Sequence, residues 1–157
     1  MFKVAINPVS TRSQINQDIN VINFFNGFKN LYFIDIGAFD GEHISNSFIL
    51  EKEYNWKGIC SEAQISSFSK LIKCRNVICT DYAVFSKNGK AIFNIVEDGN
   101  GVFSGLHTIN GDYQIKNDNS QIENQNEIIV NTITLQDLLK KYNSPKIINY
   151  LSTINNK

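Results

Sequence analysis

No stretch of about 18 uncharged apolar residues occurs anywhere in the chain, which excludes a membrane-spanning helix. The opening, Met1 to Ser10, has a single lysine and no apolar run of signal-peptide length, so a soluble cytoplasmic protein with no membrane partner is expected. Excess charge of either sign is also absent. Fifteen Lys and Arg balance fifteen Asp and Glu, and the basic residues are scattered rather than gathered into a stripe, so nucleic acid is not expected as a partner. Cysteine is scarce and odd in number. Cys60, Cys74 and Cys79 lack Cys-x-x-Cys spacing and are expected as small buried residues, while His43 and His107 have no partners at metal-ligand spacing. No metal is therefore expected, and 157 residues suit one hydrophobic core.

What is present alternates in period. Ser13 is expected to cap a helix in which Ile15, Ile19, Ile22 and Phe25 recur at helical spacing, ended by Gly27 and Asn30. Tyr32 to Ile36 is a nearly continuous apolar run holding one acid, as in a strand buried on both faces of a parallel sheet. A helix is expected from Ile44 to Tyr54, a strand at Ile59-Cys60-Ser61 and a short helix capped by Ser66 or Ser67 and running through Phe68, Leu71 and Ile72. A third strand, Val77-Ile78-Cys79, follows. Strands alternating with helices imply right-handed crossovers and a doubly wound α/β sheet. Beyond them, Lys90 to Val96 alternates apolar and polar residues after the turn Lys87-Asn88-Gly89, as an antiparallel ribbon does. Thr108 to Asn126 is polar and aperiodic, as in a mobile loop. Ile128-Ile129-Val130, a Thr134-capped helix through Leu135, Leu138 and Leu139, and a strand from Ile147 to Leu151 complete the pattern.

Open α/β sheets bind ligands outside the carboxyl ends of their strands. Those ends here are Asp35-Ile36-Gly37-Ala38-Phe39-Asp40-Gly41, Glu62 and Asp81. Gly37 and Gly41 allow a tight turn and close approach of a ligand to bare backbone. Glu62 lies 25 residues beyond Gly37, where an acid can accept both hydroxyls of a ribose, and Asp81 can accept a hydrogen bond from an adenine amino group. Each also has a structural alternative: Asp35 in a buried polar network, Glu62 on the surface, Asp81 capping the turn with Tyr82, Trp56 in packing and His43 at a helix start. A dinucleotide fingerprint would need glycine at positions 39 and 42, where the chain has Phe39 and Glu42. S-adenosylmethionine has no pyrophosphate and carries an ammonium group suited to acids such as Asp35 and Asp40, which favours it over a nicotinamide cofactor.

Phe33-Ile34-Asp35-Ile36-Gly37-Ala38-Phe39-Asp40-Gly41, with Ser45-Asn46-Ser47 and Leu50-Glu51-Lys52-Glu53 after it, resembles the opening of FkbM-type methyltransferases. Trp56-Lys57-Gly58-Ile59-Cys60 leading to Glu62 is similar to that family's W-K-G-I-x-x-E-P-N segment, with Ala63-Gln64 in place of Pro-Asn. Tyr82-Ala83-Val84, Ser104-Gly105-Leu106, the stretch from Val130 to Leu139 and Ile148-Asn149-Tyr150-Leu151-Ser152 extend the likeness. The resemblance implies a Rossmann-like class I methyltransferase domain over residues 31–157, preceded by a helical extension over residues 1–30. It implies S-adenosylmethionine held by Asp35, Gly37, Ala38, Asp40, Gly41, Glu62 and Asp81, and methyl transfer to a hydroxyl of a sugar, glycan or other small molecule, with no catalytic base assigned. The family continues into a D-x-E-G segment where this sequence reads Thr153-Ile154-Asn155-Asn156-Lys157. A truncated sheet is therefore expected, with strands in the order 3-2-1-4, a small antiparallel insertion, and the strand near Ile147 to Leu151 as an edge available for self-association. A cofactor-binding remnant or partner subunit without catalysis is the alternative, followed by a nicotinamide-binding module.

Overall fold

In the computed structural model, the described residues are 10–94, 105–106 and 127–153. Helix α1 (Gln17–Phe24) leads into β1 (Tyr32–Ile36), α2 (Phe48–Lys52), β2 (Lys57–Ser61), α3 (Ile65–Cys74) and β3 (Ile78–Thr80). Then come β4 (Ala83–Val84), β5 (Gly89–Asn94), β6 (Gly105–Leu106), β7 (Glu127–Ile133), α4 (Leu135–Lys141) and β8 (Tyr150–Thr153). The main sheet is wholly parallel in the order β3-β2-β1-β8. This is the expected 3-2-1-4 arrangement of a Rossmann-like fold, and its switch of direction falls beside β1.

Strand alternation explains how one apolar run serves two layers. Phe33 meets Leu50, Trp56, Cys60 and Leu71 on one face, together with Ile22 of α1. Ile34 and Ile59 meet Ile133 and Leu138 on the other. Asp35 shares the first face with Phe33, and so lies on the side where α2 and α3 pack. Trp56 fills this layer with 1% of its surface exposed, and its indole N–H donates to the Phe28 carbonyl at 2.8 Å, which makes it a packing residue. Cys60 is buried, while Cys74 and Cys79 are half-buried, all as free thiols.

The second sheet, β4-β7-β5-β6, contains the expected ribbon, with β5 antiparallel to both β6 and β7. It also gains a parallel pairing of β4 with β7. Thr134 caps α4 as expected, its hydroxyl accepting the Asp137 amide at 3.1 Å. The segment Thr108 to Asn126 lies outside the described residues.

The strands β2, β3 and β7 lie within a few residues of their expected bounds, and four other boundaries differ for local reasons. Asn16, not Ser13, precedes α1, because the Ser13 hydroxyl is committed to Asp18 at 2.6 Å. Ile15 is consequently 74% exposed. Helix α2 spans only Phe48–Lys52, since Ile44 adopts a left-handed φ of 55° and the Ser45 hydroxyl accepts the amides of Ser47 and Phe48, a local bond that competes with helix. Gln64 precedes α3, which places Ser66 and Ser67 inside its first turn. The last strand begins at Tyr150 rather than Ile147, because the Asn149 side chain and main chain exchange bonds with Tyr32 and leave Ile147 71% exposed.

Candidate functional site

The ends of β1, β2 and β3 are tied together by main-chain bonds. The Ser61 carbonyl accepts the amides of Gly37 at 2.8 Å and Ala38 at 3.1 Å, and the Thr80 carbonyl accepts the Glu62 amide at 2.9 Å. These bonds fold the segment after β1 against the end of β2. The turn takes left-handed φ at Gly37 (79°), Phe39 (51°) and Gly41 (85°). Glycine adopts this conformation at no steric cost, whereas phenylalanine needs support from its surroundings.

Glu62 supplies that support. One carboxylate oxygen accepts the Phe39 amide at 2.9 Å and the other accepts the Gln64 amide at 2.8 Å. The residue is 8% exposed. Burial holds its carboxyl above the usual range against the opposing effect of the Gln64 and Phe39 amides. A carboxylate has about four lone-pair positions, so acceptor capacity is left for ligand hydroxyls.

The other acids divide by role. Asp40 accepts the amides of Glu42 and His43 through Oδ1 at 3.0 and 2.9 Å, and its Oδ2 meets His43 Nδ1 at 2.7 Å. Burial opposes its ionisation, but these bonds outweigh burial and hold the carboxyl low. His43 itself is exposed. Asp81, just past β3, is half-buried, and its carboxylate has no hydrogen-bond partner among the described residues. Asp35 is 3% exposed and accepts the Ser47 hydroxyl at 2.5 Å. Burial raises its carboxyl above the usual range, opposed by Ser47, the Arg75 charge and Ser152. The structure thus gathers Gly37, Ala38, Asp40 and Gly41 in one turn with Glu62 braced against it from the end of β2, sets Asp81 at the neighbouring strand end, and places Asp35 beneath them in a buried polar network.

That network contains residues that spacing alone does not reveal. Arg75, at the end of α3, has a fully buried side chain paired with Glu51 of α2. Its Nη1 donates to the Gly41 carbonyl at 3.0 Å and to Ser45 at 3.4 Å, and its Nη2 donates to Ser47 at 3.0 Å. Ser45, Ser47 and Glu51 fall within the family-like segment, but nothing in the sequence joins them to an arginine 24 residues beyond Glu51. Among the described residues no three of His, Cys, Asp and Glu come together as metal ligands, and no helix is long and apolar enough to cross a membrane.

The pattern of the methyltransferase FkbM domain matches residues 35–153. The chain belongs to the FkbM methyltransferase family. The match starts at Asp35 and takes in the glycine turn, the strand ends and β8, so family and fold rest on the same residues. No curated protein and no solved structure matches the chain.

Proposed function

We propose that the chain binds S-adenosylmethionine at the glycine turn and transfers its methyl group to a hydroxyl of a sugar or other small molecule. The observation that carries this reading is the placement of Glu62. It sits at the carboxyl end of β2, braces the turn through Phe39, and has lone pairs beyond those given to the two amides.

The residues fit the cofactor's chemistry. Gly37 has no Cβ and leaves main chain open to a close approach, and Glu62 can accept the two ribose hydroxyls. Asp81, whose carboxylate has no hydrogen-bond partner among the described residues, suits an adenine amino group. Asp40 shapes the turn through its two amide bonds, and Asp35 steadies the end of β1 through Ser47. When bound, the cofactor supplies an electrophilic methyl group on its sulfonium, and the protein's main contribution is to align an acceptor oxygen behind that carbon. Phe39 stands where a dinucleotide site has glycine, which disfavours a pyrophosphate and hence the nicotinamide alternative.

Calorimetric titration of the folded chain with S-adenosylhomocysteine, beside a fluorescence titration with NADH, tests the proposal. Roughly micromolar affinity for the former and none for the latter is expected. A folded chain that binds no S-adenosylhomocysteine would overturn the proposal.

A further inference from the structure

One buried side chain reaches both ends of the segment after the glycine turn. Arg75 is fully buried, which is costly for a charge unless it is paired, and Glu51 pairs it. Pairing alone would not require the remaining contacts. Its other nitrogens reach the Gly41 carbonyl and the Ser47 hydroxyl, at the two ends of the segment 41–47, and Ser47 passes the connection on to Asp35 in β1. The rings of Phe33 and Phe48 lie 5.7 and 5.8 Å from the guanidinium carbon and restrict its position. The last turn of α3 is also the seat of the loop. A Cβ added to Gly41 would stand 2.6 Å from Leu71 Cδ1 and 2.8 Å from Cys74 Sγ, and that thiol donates to the Asp40 carbonyl at 3.1 Å.

We infer that Arg75 is a positioning residue for the methyl-donor site, fixing both ends of the 41–47 segment through the fork geometry of its guanidinium. The inference rests on the reading of the glycine turn as that site, and it extends the site to α3 and α2. Charge alone is insufficient for this role. A lysine ammonium presents its donors from a single point and cannot reach Glu51, Gly41 and Ser47 together.

The test uses Arg75→Lys and Ser47→Ala in the full chain. Affinity for S-adenosylhomocysteine, the thermal midpoint, and the rate at which N-ethylmaleimide labels Cys74, located by peptide mass, are measured for each. Both variants leave the positive charge beside the thiol, so the labelling rate reports loop position rather than thiol ionisation. Arg75→Lys is expected to weaken binding about tenfold or more, ~1.4 kcal/mol, and to speed labelling severalfold, with Ser47→Ala showing smaller shifts in the same directions. Variants with a lowered midpoint but wild-type affinity and labelling would assign Arg75 to stability alone and overturn the inference. If Arg75→Lys does not fold, Ser47→Ala decides by the same two readouts. A wild-type chain that binds no S-adenosylhomocysteine would remove the methyl-donor reading, and Cys74 labelling would still decide whether Arg75 holds the loop.

Discussion

Glu62 accepts the amide of Phe39 at 2.9 Å, so a residue at the end of one strand fixes the strained turn that follows its neighbour. Removing the carboxylate therefore has two effects. Glu62→Ala leaves the Phe39 and Gln64 amides without their acceptor, at a cost of about 1–3 kcal/mol in stability. It also removes the proposed ribose acceptor, so affinity for S-adenosylhomocysteine should fall about tenfold or more, ~1.4 kcal/mol. Calorimetry on a variant shown by circular dichroism to be folded checks this. Unchanged affinity would detach Glu62 from the ligand and leave it a brace of the turn.

Gly41→Ala should be the most damaging small substitution in the turn. A φ of 85° costs an L-residue about 1–2 kcal/mol, and the new methyl group would overlap Leu71 and Cys74. Overpacking of that kind adds about 1–3 kcal/mol. The nearest neighbours belong to the packed last turn of α3 and to the buried Arg75 stem, so little room exists for relief. Chemical denaturation should show a loss of about 2–5 kcal/mol, the sum of the two costs, and a loss near zero would mean that α3 can move away from the turn.

Much of this architecture is legible in the sequence, and the failures have physical causes. The buried run Tyr32–Ile36 is visible because a strand covered on both faces cannot afford polar interruptions, and its one acid marks it as unusual. Thr134 is readable as a cap because its bond to Asp137 is local, spanning three residues. Ser13 misleads because the same hydroxyl that could cap a helix binds Asp18 instead. The Arg75 network is illegible because its members come from α2, α3 and the loop between β1 and α2, joined only once the crossovers are packed.

Two buried aspartates should give stability changes of opposite sign with pH. For Asp18, burial works against ionisation, but bonds from Ser13, the Arg12 amide, Thr11 and the Ile19 amide outweigh it and lower the carboxyl below its ordinary 3.8. Its contribution is then complete above that value and disappears as pH falls through the folded value. Asp18→Asn should cost about 2 kcal/mol at neutral pH and nothing in strong acid. Asp35 is raised, chiefly by burial, so ionisation costs stability as pH climbs from the ordinary 3.8 towards the folded value. Asp35→Asn should be at least as stable as the wild type at neutral pH, with the difference vanishing in strong acid. Thermal midpoints of the three proteins across the acid range test both signs, and a destabilised Asp35→Asn at neutral pH would show that the Ser47 and Arg75 contacts outweigh burial.

The edge of the main sheet carries the last prediction. Among the described residues β8 pairs with β1 along one side only, and its outer main-chain groups face no other strand. Natural edge strands are protected by lysine, proline or bulges, yet Tyr150–Thr153 contains no charge and no proline, and Leu151 is 47% exposed. We therefore expect concentration-dependent self-association through β8. Leu151→Lys should shift the gel-filtration profile towards smaller species, because pairing with a second copy would bring like charges together and strip water from them. A wild-type chain that elutes as a monomer at every concentration would mean that this edge is not used for self-association, whatever its composition suggests.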